Sequence, residues 1–233
     1  WEIKSLNKLI YILNIETSTT NCSVSLSENG RLIGLKEDNS LEYSHAERLH
    51  IYIDELLKIA NVSKTQIAAV GISKGPGSYT GLRIGVSAAK GLCYALKIPL
   101  ISVPTLEALA RQVKSPEGPI VAMLDARRLE VYSAVYDVSY KETRQTKAEV
   151  ITSDSYKDIL EFSTVYFIGN GVPKTQELIC HPNTRFIKKK LPSASQMGTL
   201  TYDKFKNNDF EDVAYFEPYY LKDFIAIPSK KQF

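Results

Sequence analysis

The chain has 233 residues, 44% hydrophobic and 24% charged, which is enough to bury one sizeable core or two modest ones. A formal net charge of +3 makes the surface mildly basic and does not by itself select nucleic acid over any other partner. Three scattered cysteines, Cys22, Cys93 and Cys180, without CxxC spacing, fit a reducing cytosolic compartment better than a disulfide framework or a structural zinc site. No apolar run approaches the ~20 residues of a membrane span, and the first residues lack the pattern of a signal peptide, so a soluble chain is expected.

Residues 1–8 form a mixed polar stretch and are set aside as a terminal extension, as are residues 223–233. From Leu9 to Ile15 an apolar, branched run predicts a strand, and the alternation over Cys22–Leu26 predicts a second. Glu28, Asn29 and Gly30 then turn the chain into a third, RLIGLKE. Over 44–60 the spacing of Leu49, Ile53, Leu56, Leu57 and Ala60 predicts a helix, with Ser44 and Glu47 as a capping box. Ile67–Ser73 reads as a strand, KGPGSYTG as a glycine loop, Leu82–Leu96 as a helix, Pro99–Val103 as a strand, and Thr105–Val113 as a helix capped by Thr105. Ser115 to Gly118 interrupt this pattern and mark a boundary.

Beyond the break the order recurs in outline. Strands are predicted at Ile120–Leu124, Glu130–Tyr136 and Lys147–Ile151, then a helix at Ser155–Phe162 and a strand at Val165–Ile168. A short helix follows at Pro173–Ile179, then a strand at Thr184–Ile187 and a helix at Ser195–Phe205. Two halves that each open with three strands describe an α/β chain with a duplicated fold, residues 9–114 and 119–222, and a cleft between them.

Two local features bear on function. The segment Lys74–Gly85 stands between a strand and a helix, where backbone N–H groups and the helix dipole favour an anion. It lacks the GK[ST] of a P-loop and the spacing of GxGxxG, so a tight structural turn is the preferred reading of the residues alone. The helix after it is apolar almost all round, with small residues at Gly81, Gly85, Ala88 and Ala95. Either both its faces pack inside this chain, or one forms a seam with another subunit; the second is favoured, since Tyr52 and Ile59 also widen the apolar arc of the first helix.

Weaker candidates remain. His45 and His50 diverge on a helix and read as surface or capping residues. Glu16 and Asp125 each follow a strand that opens a half, where a carboxylate can face a metal-bound nucleotide; for Asp125 a turn with solvated charges is preferred. Lys188 to Lys190 form a basic run of the kind that is usually solvated. Tyr215–Tyr220 reads as an extended tail docked through its aromatic rings.

The segments ILNIETST, GPGSYTGLRIG, PLISVPTLEALA and YLKD, in that order, closely resemble the bacterial TsaB (YeaZ) family. The resemblance implies an actin-like, sugar-kinase-like (RNase H-like) fold of two subdomains, each with a mixed five-stranded sheet. It also implies a part in making threonylcarbamoyladenosine beside the anticodon of tRNAs that read codons beginning with A. In the paralogous TsaD proteins a segment of the form N-H-L-E-G-H supplies two histidines to a catalytic metal. Here Thr105 and Leu109 occupy those positions, and leucine binds no metal. The resemblance therefore implies a non-catalytic partner of TsaD, working with the ATPase TsaE, reaching tRNA only indirectly, needing no metal or cofactor of its own, and forming a homodimer when alone.

The implied seam comprises Leu49, Tyr52, Ile53, Leu56, Ile59, Gly81, Gly85, Ala88, Ala89 and Leu92, and a Gly85→Leu replacement is expected to break the complex while sparing the fold. Glu16, Thr17, Ser18, Gly75 and Gly77 are the candidate phosphate contacts, for ATP or ADP at the partner interface. The alternative is an independently active, kinase-like ATP-dependent enzyme of the same fold. A metal peptidase finds no ligand set in the sequence.

Overall fold

The computed structural model describes residues 9–39 and 45–222. Strands β1 (Tyr11–Glu16), β2 (Cys22–Glu28) and β3 (Arg31–Asp38) form an antiparallel meander. Helix α1 (His45–Ala60), strand β4 (Ile67–Ser73), helix α2 (Tyr79–Leu96), strand β5 (Leu100–Val103) and helix α3 (Thr105–Ala110) follow. The second half repeats this with β6 (Ile120–Asp125), β7 (Glu130–Tyr136), β8 (Glu142–Val150), α4 (Lys157–Leu160), β9 (Val165–Ile168), α5 (Val172–Leu178), β10 (Thr184–Ile187) and α6 (Met197–Lys206). The sheet orders are β3-β2-β1-β4-β5 and β10-β9-β6-β7-β8. Read from its third strand, the second sheet has the topology of the first. In each half the first strand pairs antiparallel with the second and parallel with the fourth. The fold is therefore the duplicated, actin-like α/β architecture.

Helices cover both faces of each sheet, but the inner cover is exchanged. Helices α1 and α2 lie on the outer face of the first sheet over Leu13, Ile15, Val24, Leu26, Val70 and Ile72. The inner face of that sheet is covered by α6, from the other half, through Tyr202 and Phe205 against Ile12, Ala69 and Ile101. Conversely α3, from the first half, packs Leu106, Leu109 and Ala110 on Ile120, Ala122 and Leu124 of the second sheet. The opposite face of that sheet carries Leu160 and Val172 from α4 and α5.

The covered inner face explains a feature that the sequence presents ambiguously. In CSVSLSE the apolar residues of β2 face α1, and the serines between them would ordinarily face water. Ser23, Ser25 and Ser27 are instead buried, together with Asn14 of β1. Ser27 bonds Ile12 O and Asn14 within the sheet, and segment 193–201 answers the others. Ser23 Oγ accepts from Ala194 N (3.0 Å), Ser25 Oγ donates to Ala194 O (2.7 Å), and Thr201 Oγ1 donates to Asn14 Oδ1 (2.8 Å). Buried polar groups are tolerable only when paired in this way.

Several expected boundaries move for physical reasons. Helix α2 begins at Tyr79 and not Leu82, because Ser78 is its N-cap and its Oγ accepts from Gly81 N (3.3 Å). Thr105 does not cap α3. Pro104 holds the cap position, and the Thr105 hydroxyl is committed elsewhere. Helix α4 is a single turn entered from Tyr156 in the left-handed region. Strand β8 starts at Glu142, five residues before the expected strand, since an edge strand is free to carry the charged run ETRQTK. The final helix is preceded by a 3₁₀ turn at Ala194–Gln196. The Ser44 cap lies outside the described residues. Among the described residues no helix is long and apolar enough to cross a membrane.

Thr201→Val keeps the shape of the side chain and leaves Asn14 Oδ1 without its buried donor. A loss of about 1–3 kcal/mol in unfolding free energy is expected, with an unchanged denaturant slope in urea titration.

Candidate functional site

Helix α2 is held unusually close to the end of β1. The Thr17 hydroxyl donates to the carbonyl of Gly81 (2.8 Å). A Cβ on Gly81 would overlap the Thr17 carbonyl, and one on Gly85 would overlap Thr17 Oγ1. Glycine is required at both positions for contact within the chain. This corrects the expected seam. Gly81, Gly85 and Ala89 are buried against the chain's own first sheet, and so are Leu49, Ile53 and Leu56 of α1, all in the same core. Of these six, only Leu49 lines the groove between α1 and α2. Of the expected seam, Ala88, Leu92 and Tyr52 are partly buried and Ile59 is 72% exposed.

The surface that does exist lies one helical step away. Between α1 and α2 runs an open groove of about 560 Å³, floored by Leu49 and walled by Ala46 and His50 on one side and Ile84, Ala88, Gly91 and Leu92 on the other. Its lining is chiefly apolar, with Arg83 and Ser87 at the rim. Gly91 differs from the other glycines of α2, because a Cβ there would meet nothing within 4 Å. A mid-helix glycine costs roughly 0.5–1 kcal/mol against alanine, and nothing among the described residues accounts for this one. Ile51 and Tyr94 add exposed apolar area on the same two helices.

The glycine loop is occupied by the chain itself. Ser78 N donates to Ser18 O (2.6 Å), Gly75 N to Thr105 Oγ1 (3.0 Å) and Thr105 N to Gly75 O (3.0 Å). Segment 209–222 straps across the loop. Its Tyr219 N donates to Lys74 O (2.7 Å), the Tyr219 carbonyl oxygen lies 2.7 Å from where a Cβ on Gly75 would stand, and Gly75 itself has φ 112°. Gly77 is equally close to Ser18. The residues expected to hold a phosphate, Glu16, Thr17, Ser18, Gly75 and Gly77, are thus brought together, but mainly to one another.

Glu16 is fully buried. Its Oε1 accepts from Ser18 N (2.6 Å), while Oε2 and the Ser18 hydroxyl have no partner among the described residues. Burial raises the Glu16 carboxyl above the ordinary carboxylate range, an effect that the hydrogen bond from Ser18 N opposes without cancelling. Asp125 is exposed, and its Oδ1 accepts from Arg127 N (2.8 Å) and Lys174 Nζ (2.6 Å), which makes it a turn residue.

Thr105 and Leu109 are both fully buried. The Thr105 hydroxyl bonds Ser73 Oγ (2.5 Å) and Gly75 N, and Leu109 lies in the core over the second sheet. His45 is buried, not at the surface, with Nε2 2.7 Å from the Thr19 carbonyl, and burial lowers its pKa. His50 faces the groove. Among the described residues no three His, Cys, Asp or Glu side chains converge to hold a metal ion. Lys188, Lys189 and Lys190 are exposed.

Sequence reasoning missed Gly91, Ala46 and Ile84. The signal was present: Ile84, Ala88, Gly91 and Ala95 recur at helical spacing, a phase apart from Gly81 and Gly85. Two small-residue faces stand side by side on α2, and only one is left uncovered by the described residues.

The family model of TsaD, tRNA N6-adenosine threonylcarbamoyltransferase, matches residues 40–226. The tRNA threonylcarbamoyladenosine biosynthesis protein TsaB of Escherichia coli K12 is 30% identical over 94% of this chain and 99% of its own length. The TsaB of Buchnera aphidicola subsp. Acyrthosiphon pisum is 34% identical over 85% and 91% respectively. The solved structure of YeaZ from Pseudomonas aeruginosa superposes with a TM-score of 0.77 at 25% identity, covering 91% of this chain and all of that one.

Two outcomes follow from the interior geometry. Gly85→Leu should prevent stable folding, seen as loss of a cooperative thermal transition, and not leave the fold intact as the sequence alone suggested. Glu16 keeps its proton in the fold above the ordinary value of 4.5, so its contribution to stability is full below that pH and is lost as pH rises through the folded value. Glu16→Gln should therefore gain stability relative to the parent as pH rises above about 4.5, read from urea titrations at pH 4.5 to 8.

Proposed function

The chain belongs to the TsaB (YeaZ) family of tRNA threonylcarbamoyladenosine biosynthesis proteins, and from that premise we propose that it acts as the non-catalytic partner of a TsaD-type paralogue. The observation that carries this reading is the open apolar groove between α1 and α2, with Gly91 bare at its wall. A glycine in that place lets a partner helix approach the α2 backbone closely. A helix pair from the paralogue laid along the groove would bury Ala88, Leu92 and the exposed parts of Tyr52, Ile59 and Tyr94. A standard interface of about 800 Å² per partner suffices for a stable pair.

Chemistry inside this chain has little to work with. The positions where TsaD-type proteins carry metal-binding histidines are a buried threonine and a core leucine. The glycine loop spends its backbone groups on Ser18, Thr105 and the strap at Tyr219. The role we assign is to hold the paralogue in its active arrangement, in the cytosol, alongside a TsaE-type ATPase and without a cofactor of this chain's own. Alone, the chain closes the same groove against a second copy, so the homodimer and the heterodimer compete for one surface.

The pair Gly91→Ala and Gly91→Trp tests the reading. Gly91→Ala should raise the stability of the isolated chain by about 0.5–1 kcal/mol, since it removes the helix penalty and meets no neighbour. Gly91→Trp should leave the thermal midpoint nearly unchanged and weaken binding to the paralogue at least tenfold by isothermal titration. Equal affinity of Gly91→Trp and parent would remove the groove as the contact.

A further inference from the structure

We infer that the chain also touches the tRNA directly, through a basic and aromatic surface at the end of the molecule where the strap crosses from the first half to the second. The inference rests on the reading above for the identity of the RNA, and it departs from the expectation that tRNA is reached only through the paralogue.

The β6–β7 turn is built to display two arginines. Arg127 and Arg128 are consecutive and both have positive φ, 68° and 51°, a conformation that non-glycine residues seldom adopt. A scaffold holds it. Lys174 Nζ donates to Asp125 Oδ1 (2.6 Å), Arg128 O (2.7 Å) and Glu130 O (3.1 Å), while Asn170 Oδ1 accepts from Asp125 N (2.9 Å). Both arginines are exposed, and neither guanidinium has a carboxylate partner among the described residues. By contrast Arg48, Arg111 and Arg144 each pair with a carboxylate.

The strap joins this turn to the start of α2. Lys222 pairs with Glu130 and reaches Ala126 O (3.5 Å). Two residues earlier, the Tyr220 ring packs on Tyr79 at 4.9 Å between centroids, and Arg83 lies over the other ring of that pair at 5.3 Å. Tyr219 and Tyr220 remain 42% and 37% exposed. Tyr220 and Lys222 thus tie the start of α2 and the arginine turn to one short stretch of the strap.

The charge of the patch selects the partner. Asp125 and Glu130 are each neutralised by a lysine, which leaves the guanidinium groups of Arg83, Arg127 and Arg128 against the exposed Glu217. Forked guanidinium groups match phosphate oxygens, and partly exposed tyrosine rings offer faces on which unpaired bases stack, as in the loops and ends by which RNA is recognised. An apolar protein surface has its own place in the α1–α2 groove.

The test is a fluorescence titration of unmodified tRNA over a range of salt, with the heterodimer and with this chain alone. Arg127→Glu/Arg128→Glu lies outside the groove and the core. At about 100 mM salt it should weaken tRNA binding tenfold or more and make the logarithmic salt slope shallower by about 1.5, as expected for two lost phosphate contacts. Tyr220→Ala should weaken binding several-fold with an unchanged slope, the mark of lost stacking. Unchanged affinity and slope in a normally assembled heterodimer would overturn the inference. So would loss of heterodimer assembly in the arginine variant, which would make the patch a protein contact. If the parent chain does not join the paralogue, the scaffold reading falls, and the titration of the chain alone still decides the patch.

Discussion

The closeness of α2 to the end of β1 governs the outer surface of the molecule. Thr17 sits against both Gly81 and Gly85 and binds the first by its hydroxyl, so the helix cannot rotate without a steric clash or lift without losing that hydrogen bond. With that rotation set, Leu82, Val86, Ala89 and Cys93 face the sheet, and Ile84, Ala88 and Gly91 face out. The groove beside α1 is a consequence of this clamp. A chain with alanine at position 85 would have to move α2 outward, and the surface offered to a partner would move with it.

The second constraint is the exchange of inner helices. Helix α6 covers the first sheet and α3 the second, so neither half can complete its core alone. Ser23 and Ser25 on β2 and Asn14 on β1 give this contact a specific register, because each has a hydrogen bond that only Ala194 or Thr201 completes. The strap at 209–222 adds a third connection, with Lys90 Nζ donating to the carbonyls of Ala214 and Phe216 (both 3.0 Å) before the chain crosses the glycine loop. What resembles a phosphate cradle in sequence is thereby a joint between the halves.

Much of the fold was legible because its strands are short, branched and bounded by turn residues. Asn29 and Gly30 announce the first hairpin and adopt positive φ as such a turn requires. The duplication was legible from element order alone. Less of the site was, for a reason of phase. Small residues on α2 form two adjacent stripes, and sequence spacing cannot say which one meets the chain's own β1 and which is open. Only the position of Thr17, 64 residues from Gly81 in sequence, decides that. His45 was misplaced for a similar reason, since its burial depends on the Thr19 carbonyl in the turn after β1. The strap over Gly75 has the sequence of a docked tail, but its target lies beyond any local pattern.

The account gives three surfaces three tasks: the groove takes the paralogue, the arginine turn takes RNA phosphate, and the glycine loop closes the chain on itself. Its central claim is that the chain acts by being present in a complex and not by chemistry of its own. The most direct measurement is threonylcarbamoyl transfer to tRNA by the paralogue, the ATPase and the carbamoyl-adenylate synthase of the same cell, as this chain is titrated in. The account predicts that product formation rises with the chain and saturates at one copy per paralogue. Equal product in its absence, with every other component shown to be active, would contradict it.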